Sequence, residues 1–279
     1  MIVLGFTGLL ILAACKSGNG GTDPENEIQA PPGYQLVWHD EFDQSLIDQT
    51  KWTFEVNAWG GGNNELQYYT DRLVNAFIDN GNLVIHALKE SYTGTEGTRE
   101  YTSARLNTKN KGDWRYGRFE IRAKLPVGQG IWPAIWLLPT DNVYGGWAAS
   151  GEIDIMELLG QEPDKVYGTL HYGGSYPQNV QSGNHFVLHG ESFHDDFHTF
   201  ALEWDSTSIS WFVDDSLYQT QTQWYSTEGT YPAPFDQNFH CILNVAVGGN
   251  WPGAPDQTTE FPQQMAIDYV RIFQKEASP

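Results

Sequence analysis

The feature that most constrains the fold is a series of short segments in which apolar residues alternate with polar ones. Clear examples are residues 83–88, 117–125, 200–204, 209–213 and 267–273. A period of two residues is typical of a β-strand with one buried face, and no segment keeps a helical period over three turns. Many short strands joined by close turns predict an all-β sandwich of two antiparallel sheets.

One strand-like segment, residues 151–158, interleaves three acids with apolar residues. In a strand, Glu152 and Asp154 share one face, whereas strict alternation places Glu157 on the other face. One extra residue, bulged out between Asp154 and Glu157, returns Glu157 to the same side. The segment therefore predicts a bulged strand with three carboxyl groups on one face.

Such a cluster of acids gains the fold nothing, because like charges on one strand face repel each other. Cleaving a glycosidic bond, in contrast, requires one ionised and one protonated carboxyl group. Two other interpretations stay open at this point. The strand is acidic simply because it is solvated, or the carboxylates bind calcium or magnesium.

Composition limits the classes of ligand. The 279 residues include 11 Trp, 14 Tyr and 14 Phe, and the formal net charge is −20. This charge argues against nucleic acid, because phosphate binding requires clustered Lys and Arg. It also disfavours strongly anionic substrates through long-range repulsion. A neutral ligand that contacts aromatic side chains fits the composition best.

The N-terminus reads as a targeting segment over residues 1–15 and a flexible linker over residues 16–32, which leaves one domain at residues 33–275. The apolar start is too short to span a bilayer as a helix. Its end resembles the bacterial lipoprotein signal, in which Cys15 is lipidated; an ordinary secretory signal is the alternative. Both predict export, as an outer-membrane or cell-surface lipoprotein or as a secreted protein. Cys241 lies in an apolar run and is predicted to be a small buried hydrophobe.

The acidic segment resembles the active-site signature of glycoside hydrolase family 16, in the bulged form of its bacterial endo-β-1,3-glucanases, the laminarinases. The form with one residue fewer is typical of mixed-linkage lichenases. The likeness covers nearly the whole chain after residue 32, and the other segments that carry it are residues 38–42, 62–70, 103–106, 130–137, 168–172 and 248–252. The resemblance implies a concanavalin-like β-jelly-roll sandwich with a substrate cleft across its concave sheet, and internal cleavage with retention of anomeric configuration.

Chemistry and resemblance together suggest roles for the three acids. Glu152 is expected to be the nucleophile and Glu157 the general acid and later the base. Asp154, between them on the same face, is expected to orient Glu152 and to tune the pKa values of the set. Close carboxyl groups titrate together, so that one of them is held protonated by its neighbours.

Four tryptophans are candidates for stacking against sugar rings. Trp132 and Trp136 lie four residues apart and would share one face of a strand. Trp147 precedes the acidic segment, and Trp251 follows a Gly-Gly-Asn turn. Indoles stack on the flat C–H faces of sugars and donate an N–H to hydroxyls. The alternative for each is a place in the core.

Three polar residues complete the expected binding set. The resemblance places Arg105 in the cleft, although a buried ion pair with an acid is the alternative. It also suggests that Asn63 contacts substrate, although turn chemistry alone explains an Asn after three glycines. His171 is expected on the strand beside the acidic one, either as a member of a polar network or next to Glu157 and the leaving group.

A structural calcium ion is a further implication of the resemblance. Asp268 is expected on the same strand face as Val270 and Ile272, and a buried charge must be paired or bind a metal. Family members often hold calcium on the convex side, and the matching positions are Glu41, Gly81 and Asp268. A salt bridge is the alternative. No cofactor is expected for catalysis.

The function expected from these observations is a monomeric endo-hydrolase of internal β-1,3-glucosidic bonds in laminarin-type glucans. The same fold acting on mixed-linkage β-glucan, or on another neutral β-glycan, is one alternative. A non-catalytic β-glucan-binding protein is another, although relatives of that kind have typically lost the catalytic glutamates.

Overall fold

A computed structural model describes residues 28–276. The predicted targeting segment and residues 16–27 of the predicted linker lie outside the described residues. Within residues 28–276 the regular structure consists of strands and one short 3₁₀ turn, Gly60–Gly62, with no α-helix. This part of the chain accordingly contains no helix of the length and apolarity needed to cross a membrane.

The strands follow one another closely along the chain. In order they are β1 (Tyr34–Asp40), β2 (Thr53–Phe54), β3 (Gln67–Tyr69), β4 (Ala76–Asp79), β5 (Asn82–Gly94), β6 (Gly97–Ser103), β7 (Arg105–Asn107), β8 (Asp113–Trp114), β9 (Gly117–Lys124), β10 (Ile131–Pro139), β11 (Glu152–Leu158), β12 (Lys165–Gly173), β13 (Asn179–Val187), β14 (His198–Trp204), β15 (Ile209–Val213), β16 (Ser216–Gln221), β17 (Phe239–Val247) and β18 (Gln263–Lys275).

These strands form two sheets, as the alternating pattern predicted. The ten-stranded sheet has the order β16-β15-β14-β9-β18-β5-β6-β3, with β1 beside β18 and β4 beside β5. The eight-stranded sheet has the order β13-β12-β11-β10-β17-β7-β2, with β8 beside β17. Among the described strands only β3 and β6 pair in parallel. The acidic segment is thus a central strand, flanked on both sides.

The core lies between the two sheets and follows from the alternation. In β9, Phe119 and Ile121 point inward and are fully buried, whereas Glu120 between them points outward. In β10, Ile135 and Leu137 are fully buried in the same core. Because side chains alternate, the tryptophans of β10 must then lie on the outer face of the eight-stranded sheet. Packing of the core therefore decides which face of this sheet carries the site.

Two further predictions about single segments have clear outcomes. Cys241 is buried in β17 with no exposed surface, as predicted for a small hydrophobe. Burial raises the pKa of its thiol to about 12, so it stays protonated and inert. Strand β13, in contrast, was not predicted. It is a polar edge strand that pairs with β12 alone in its sheet, and none of its residues is fully buried, so its sequence shows little alternation.

The face predicted for Asp268 is wrong. The pairing of β18 with β9 shifts between Ile267 and Tyr269, which marks a bulge at Asp268. Ile267 and Val270 are both fully buried, so the bulge switches the inward face from odd to even positions. The carboxylate of Asp268 consequently lies on the outer face, with its side chain 37% exposed.

Candidate active site

The candidate site is built around the predicted bulge in β11. On β12, Thr169 pairs with Asp154 and Tyr167 pairs with Glu157, so three steps along β11 match two steps along β12. The pairing with β10 shifts at the same place. Ile155 and Met156 both enter the core and are almost fully buried. Glu157 therefore returns to the outer face, where Glu152 and Asp154 already lie.

All three acids line one cleft on the outer face of the eight-stranded sheet. The cavity measures about 370 Å³, and β7, β10, β11 and β17 supply most of its wall. Trp132 and Trp136 of β10 also line it, as does Trp147 from the loop before β11. Of the predicted set, the cleft thus brings together the acids and three of the four tryptophans.

Each of the two glutamates accepts a hydrogen bond from an indole. Trp147 Nε1 donates to Glu152 Oε2 at 2.8 Å, and Trp132 Nε1 donates to Glu157 Oε1 at 3.1 Å. These bonds restrict the carboxyl groups to single orientations. Two tryptophans that were predicted to stack on sugars therefore also hold the reactive groups in place.

Burial dominates the electrostatics of the acids. It raises the pKa of Glu152 to about 7, with repulsion from Asp154 as the second cause. Burial also raises the pKa of Asp154, and it raises that of Glu157 well above its ordinary value, assisted by repulsion from Asp154 and Glu152. A site with one carboxyl group close to ionisation and another held protonated near neutral pH is suited to acid–base chemistry.

His171 lies beside Asp154 and Glu152, not beside Glu157 as one prediction had it. It pairs directly with Glu152 across β11 and β12. Its Nε2 atom is 3.2 Å from Asp154 Oδ2 and 3.7 Å from Glu152 Oε1. It therefore belongs to the acid network at the nucleophile end of the site.

A metal ion at this cluster is poorly supported. Ligand atoms of Glu152, Asp154 and His171 all lie within 4.8 Å of one another. The Nδ1 atom of His171, however, is buried without a hydrogen-bond partner. A histidine that binds a metal almost always donates its other ring N–H to a carboxylate, a carbonyl or water. The arrangement fits a proton-sharing network better than a metal centre.

Arg105 lies in the cleft, and it also forms the ion pair that was the alternative prediction. Its Nε lies 3.1 Å from Glu55 Oε2, which forms the buried ion pair. Its guanidinium also stacks over the ring of Trp136 at 4.6 Å and lines the cleft. The ion pair with Glu55 thus holds the guanidinium of Arg105 against the ring of Trp136 in the cleft.

Asn63 and Trp251 occupy the same side of the cleft at different depths. Asn63 lines the cavity, and its backbone oxygen accepts a hydrogen bond from the N–H of Asn250 at 2.8 Å. Trp251 does not line the cavity itself. It is 42% exposed and packs edge-on against Trp132, with ring centroids 5.5 Å apart.

Sequence reasoning missed a hydrogen-bonded chain beneath Trp136. Trp136 Nε1 donates to Asn244 Oδ1 at 2.7 Å, and Asn244 Nδ2 donates to the hydroxyl of Tyr69 at 3.1 Å. That hydroxyl donates to Glu65 Oε2 at 3.3 Å. One signal was available, because Asn244 is a polar amide in the apolar second half of a strand that is buried throughout.

Trp59 was also missed. It lies in the loop before the 3₁₀ turn, lines the cleft and is 60% exposed. Its position immediately before three glycines suggests a loop and gives no indication of a binding role.

The residues predicted to bind calcium are engaged by arginines. Arg271 donates to both carboxylate oxygens of Glu41, from Nε at 3.0 Å and Nη2 at 2.6 Å. Asp268 pairs with Arg122 at 2.5 Å. Gly81 lies in the turn between β4 and β5 with φ +76°. Two guanidinium cations against these carboxylates do not fit a calcium site, and the salt-bridge alternative describes Asp268.

A two-sheet sandwich with paired carboxyl groups in an aromatic cleft defines a glycoside hydrolase. The model of the glycosyl hydrolases family 16 matches residues 70–271, and the chain belongs to that family.

Among its relatives, a Rhodothermus marinus β-glucanase is 48% identical, covering 87% of this chain and 86% of its own length. Glucan endo-1,3-beta-glucosidase A1 of Niallia circulans is 41% identical over 91% of this chain. This chain spans only 39% of that longer protein. The solved structure of the laminarinase from Rhodothermus marinus is similar, with a TM-score of 0.80 and 46% identity, covering 88% of this chain and 98% of its own. The β-jelly-roll prediction is confirmed.

Proposed function

We propose that this chain is a retaining endo-β-1,3-glucanase that cleaves internal bonds of laminarin-type glucans. The observation that carries the proposal is the bulge in β11, which places Glu152, Asp154 and Glu157 together on the cleft face of the sheet. A retaining glycosidase uses one carboxylate as nucleophile and a second carboxyl group as acid and then base.

In the first step, ionised Glu152 attacks the anomeric carbon of the bound glucosyl unit. Glu157, protonated because burial and neighbouring charge raise its pKa, gives its proton to the departing glycosidic oxygen. The C–O bond to the leaving chain breaks, and an ester forms between Glu152 and the sugar. The leaving chain departs as an alcohol, and Glu157 becomes a carboxylate.

In the second step, Glu157 removes a proton from water, which attacks the anomeric carbon from the side that the leaving chain vacated. The ester breaks, Glu152 returns to its ionised form and Glu157 is again protonated. Two inversions give overall retention. Asp154 and His171 lie next to the nucleophile and hold the charge and orientation of Glu152 through both steps.

Several features support a neutral β-1,3-glucan as the substrate. The relatives described above include proteins named as an endo-1,3-β-glucosidase and a laminarinase. The cleft is lined by indole rings, and Arg105, the one Lys or Arg among the described residues that line it, is paired with Glu55, which disfavours a sulfated or carboxylated substrate. Mixed-linkage β-1,3-1,4-glucan presents the same kind of sugar face and is the main competing substrate.

Reducing ends released from laminarin, mixed-linkage glucan and agarose, measured side by side, test this proposal. We expect release to be fastest on laminarin and absent on agarose. Glu152→Ser should abolish release, whereas Glu100→Gln, an exposed glutamate outside the cleft, should match the wild type. Faster release from mixed-linkage glucan would reject the substrate assignment. Equal release by Glu152→Ser and wild type would reject the nucleophile, and binding without release by the wild type would indicate a glucan-binding protein.

We further propose that the protein is exported and tethered to a membrane through a lipid on Cys15, and that it acts as a monomer. The signal-like sequence before Cys15 and the linker after it support this. Labelling of growing cells with a clickable fatty acid tests the tether. Label on the wild type and none on Cys15→Ser is expected, and an unlabelled wild type would reject it. Light scattering of the purified domain tests the monomer.

A further inference from the structure

One peptide unit beside the cleft is held from both sides by another part of the chain. The backbone N–H of Ala58 donates to Glu96 Oε2 at 2.7 Å, and the backbone oxygen of Ala58 accepts from Arg99 Nη2 at 2.5 Å. Ala58 is buried, so its polar backbone groups require partners. Glu96 and Arg99 belong to the β5–β6 hairpin, some forty residues further along the chain.

The tip of this hairpin is itself anchored. The N–H of Glu96 donates to the hydroxyl of Tyr68, which is buried in β3. Tyr92 of β5 packs edge-on against Tyr68, with ring centroids 5.0 Å apart. Gly94 touches the same ring so closely that a Cβ there would lie 2.5 Å from the tyrosine oxygen. The hairpin tip is therefore fixed in position, and the side chains of Glu96 and Arg99 extend from it to the Ala58 peptide.

The residue that follows Ala58 is Trp59, whose indole lines the cleft while 60% of the residue is exposed. After it come Gly60, Gly61 and Gly62, all with φ near +60° to +80°. The backbone oxygen of Gly60 accepts hydrogen bonds from the N–H groups of Asn63 and Glu65, which hold the chain on the C-terminal side of Trp59. On the N-terminal side of Trp59, the anchor is the Ala58 peptide, which Glu96 and Arg99 hold.

Trp59 lies away from the reacting groups. Its loop is attached to the end of β17, where Leu66 N–H donates to Val247 O at 2.7 Å. Strand β17 is two strands from β11, a separation of roughly 10 Å at the usual strand spacing. An indole here would touch a part of a bound chain beyond the sugars at the cleaved bond.

We infer that Trp59 is an outer sugar-binding platform and that Glu96 and Arg99 are positioning residues that fix it through the Ala58 peptide. The inference rests on the proposed β-glucanase function. It concerns long chains, because only a long chain reaches from Glu152 to the Trp59 loop. Loss of the platform should weaken binding of polymer and leave bond cleavage unchanged.

Steady-state kinetics of Trp59→Ala, Glu96→Ala and Arg99→Ala test this, with laminarin as the long substrate and 4-nitrophenyl β-laminaribioside as the short one. We expect each variant to raise KM for laminarin roughly three- to tenfold, the effect of losing one contact of hydrogen-bond strength. Values of kcat, and both constants on the short substrate, should stay at the wild-type level.

Three further variants distinguish a loss of Trp59 positioning from a general disturbance of the fold. Glu96→Gln keeps an oxygen that accepts from Ala58 N–H and should behave as the wild type. Glu100→Ala, on the same hairpin but bonded only to Ser91, should also be silent. The double variant Glu96→Ala with Trp59→Ala should be no worse than Trp59→Ala alone, since both remove one platform.

Additive effects in the double variant, equal losses on both substrates, or unchanged KM in Glu96→Ala and Arg99→Ala would overturn the inference. A thermal melt of each variant identifies any that fail to fold, and Trp59→Ala, which truncates a largely exposed side chain, then carries the comparison with the wild type. If the wild type itself releases nothing from laminarin, the proposed function fails, a result distinct from any of these.

Discussion

At the residue scale, the site depends on the groups that orient the side chains of Glu152 and Glu157 and set their pKa values. Trp147 and Trp132 each donate an N–H to one of them, and burial raises the pKa of both. The acids were predictable because three carboxyl groups in six residues have no structural benefit. The partners of Trp136 were not predictable, because Asn244 and Tyr69 lie far apart in sequence and meet only when β17 and β3 come together.

The bond from Trp147 should be visible in the pH profile of the enzyme. An N–H donated to Glu152 favours its ionised form, so Trp147→Phe should raise the pKa of this carboxyl above about 7. Because the nucleophile must be ionised, the acidic limb of kcat/KM against pH should move to higher pH. A limb that stays in place or moves to lower pH would show that the bond does not control Glu152.

The raised pKa of Glu157 has a consequence for stability. The folded protein keeps a proton on this carboxyl that the unfolded chain loses above about pH 4, so stability falls as pH rises toward the raised pKa. Glu157→Gln removes this loss and should raise Tm, by an amount that grows as the pH rises above about 4 toward the raised pKa. Thermal melts across that range measure it. A gain that shrinks with rising pH would contradict the assignment, and activity should be lost throughout.

At the element scale, two bulges decide where acids point, and only one was predicted. The bulge in β11 was inferred because the signature places two residues between Asp154 and Glu157 where alternation allows one. The bulge at Asp268 has no comparable signal in the sequence, because apolar residues occur on both faces of β18. Edge strand β13 escaped prediction for a related reason, since a strand with little buried surface shows little alternation.

The arginine pairs of β18 lead to a prediction about metal ions. Arg271 and Arg122 already neutralise Glu41 and Asp268, so a divalent cation would have to displace them. We expect Tm to be the same in EDTA, in buffer alone and in added calcium chloride. A rise in Tm with calcium that EDTA reverses would contradict this, and would restore the site at Glu41, Gly81 and Asp268.

At the scale of the whole molecule, the sandwich assembles one cleft from segments between residues 59 and 246, and the net charge of the chain is −20. The fold class was predictable because alternation and turns recur throughout the sequence. The shape of the cleft was not predictable. Its wall comes mainly from β7, β10, β11 and β17, and the order of these strands in the sheet cannot be inferred from local sequence patterns.

The net charge of −20 predicts a dependence of stability on salt. Self-repulsion opposes the compact state, and salt screens it over a Debye length of about 10 Å at 0.1 M. Tm should therefore rise when sodium chloride is added at neutral pH, while KM for neutral laminarin stays constant. A Tm that falls with salt would mean that the ion pairs outweigh the repulsion.

The most direct test of the account is the anomeric configuration of the first product, followed by proton NMR during hydrolysis of laminarin by concentrated enzyme. If Glu152 and Glu157 act as nucleophile and acid/base on one face of β11, the new reducing end appears first as the β anomer. The α anomer then grows in by mutarotation. An α anomer formed first would mean single displacement, and the roles assigned to the two glutamates would be wrong.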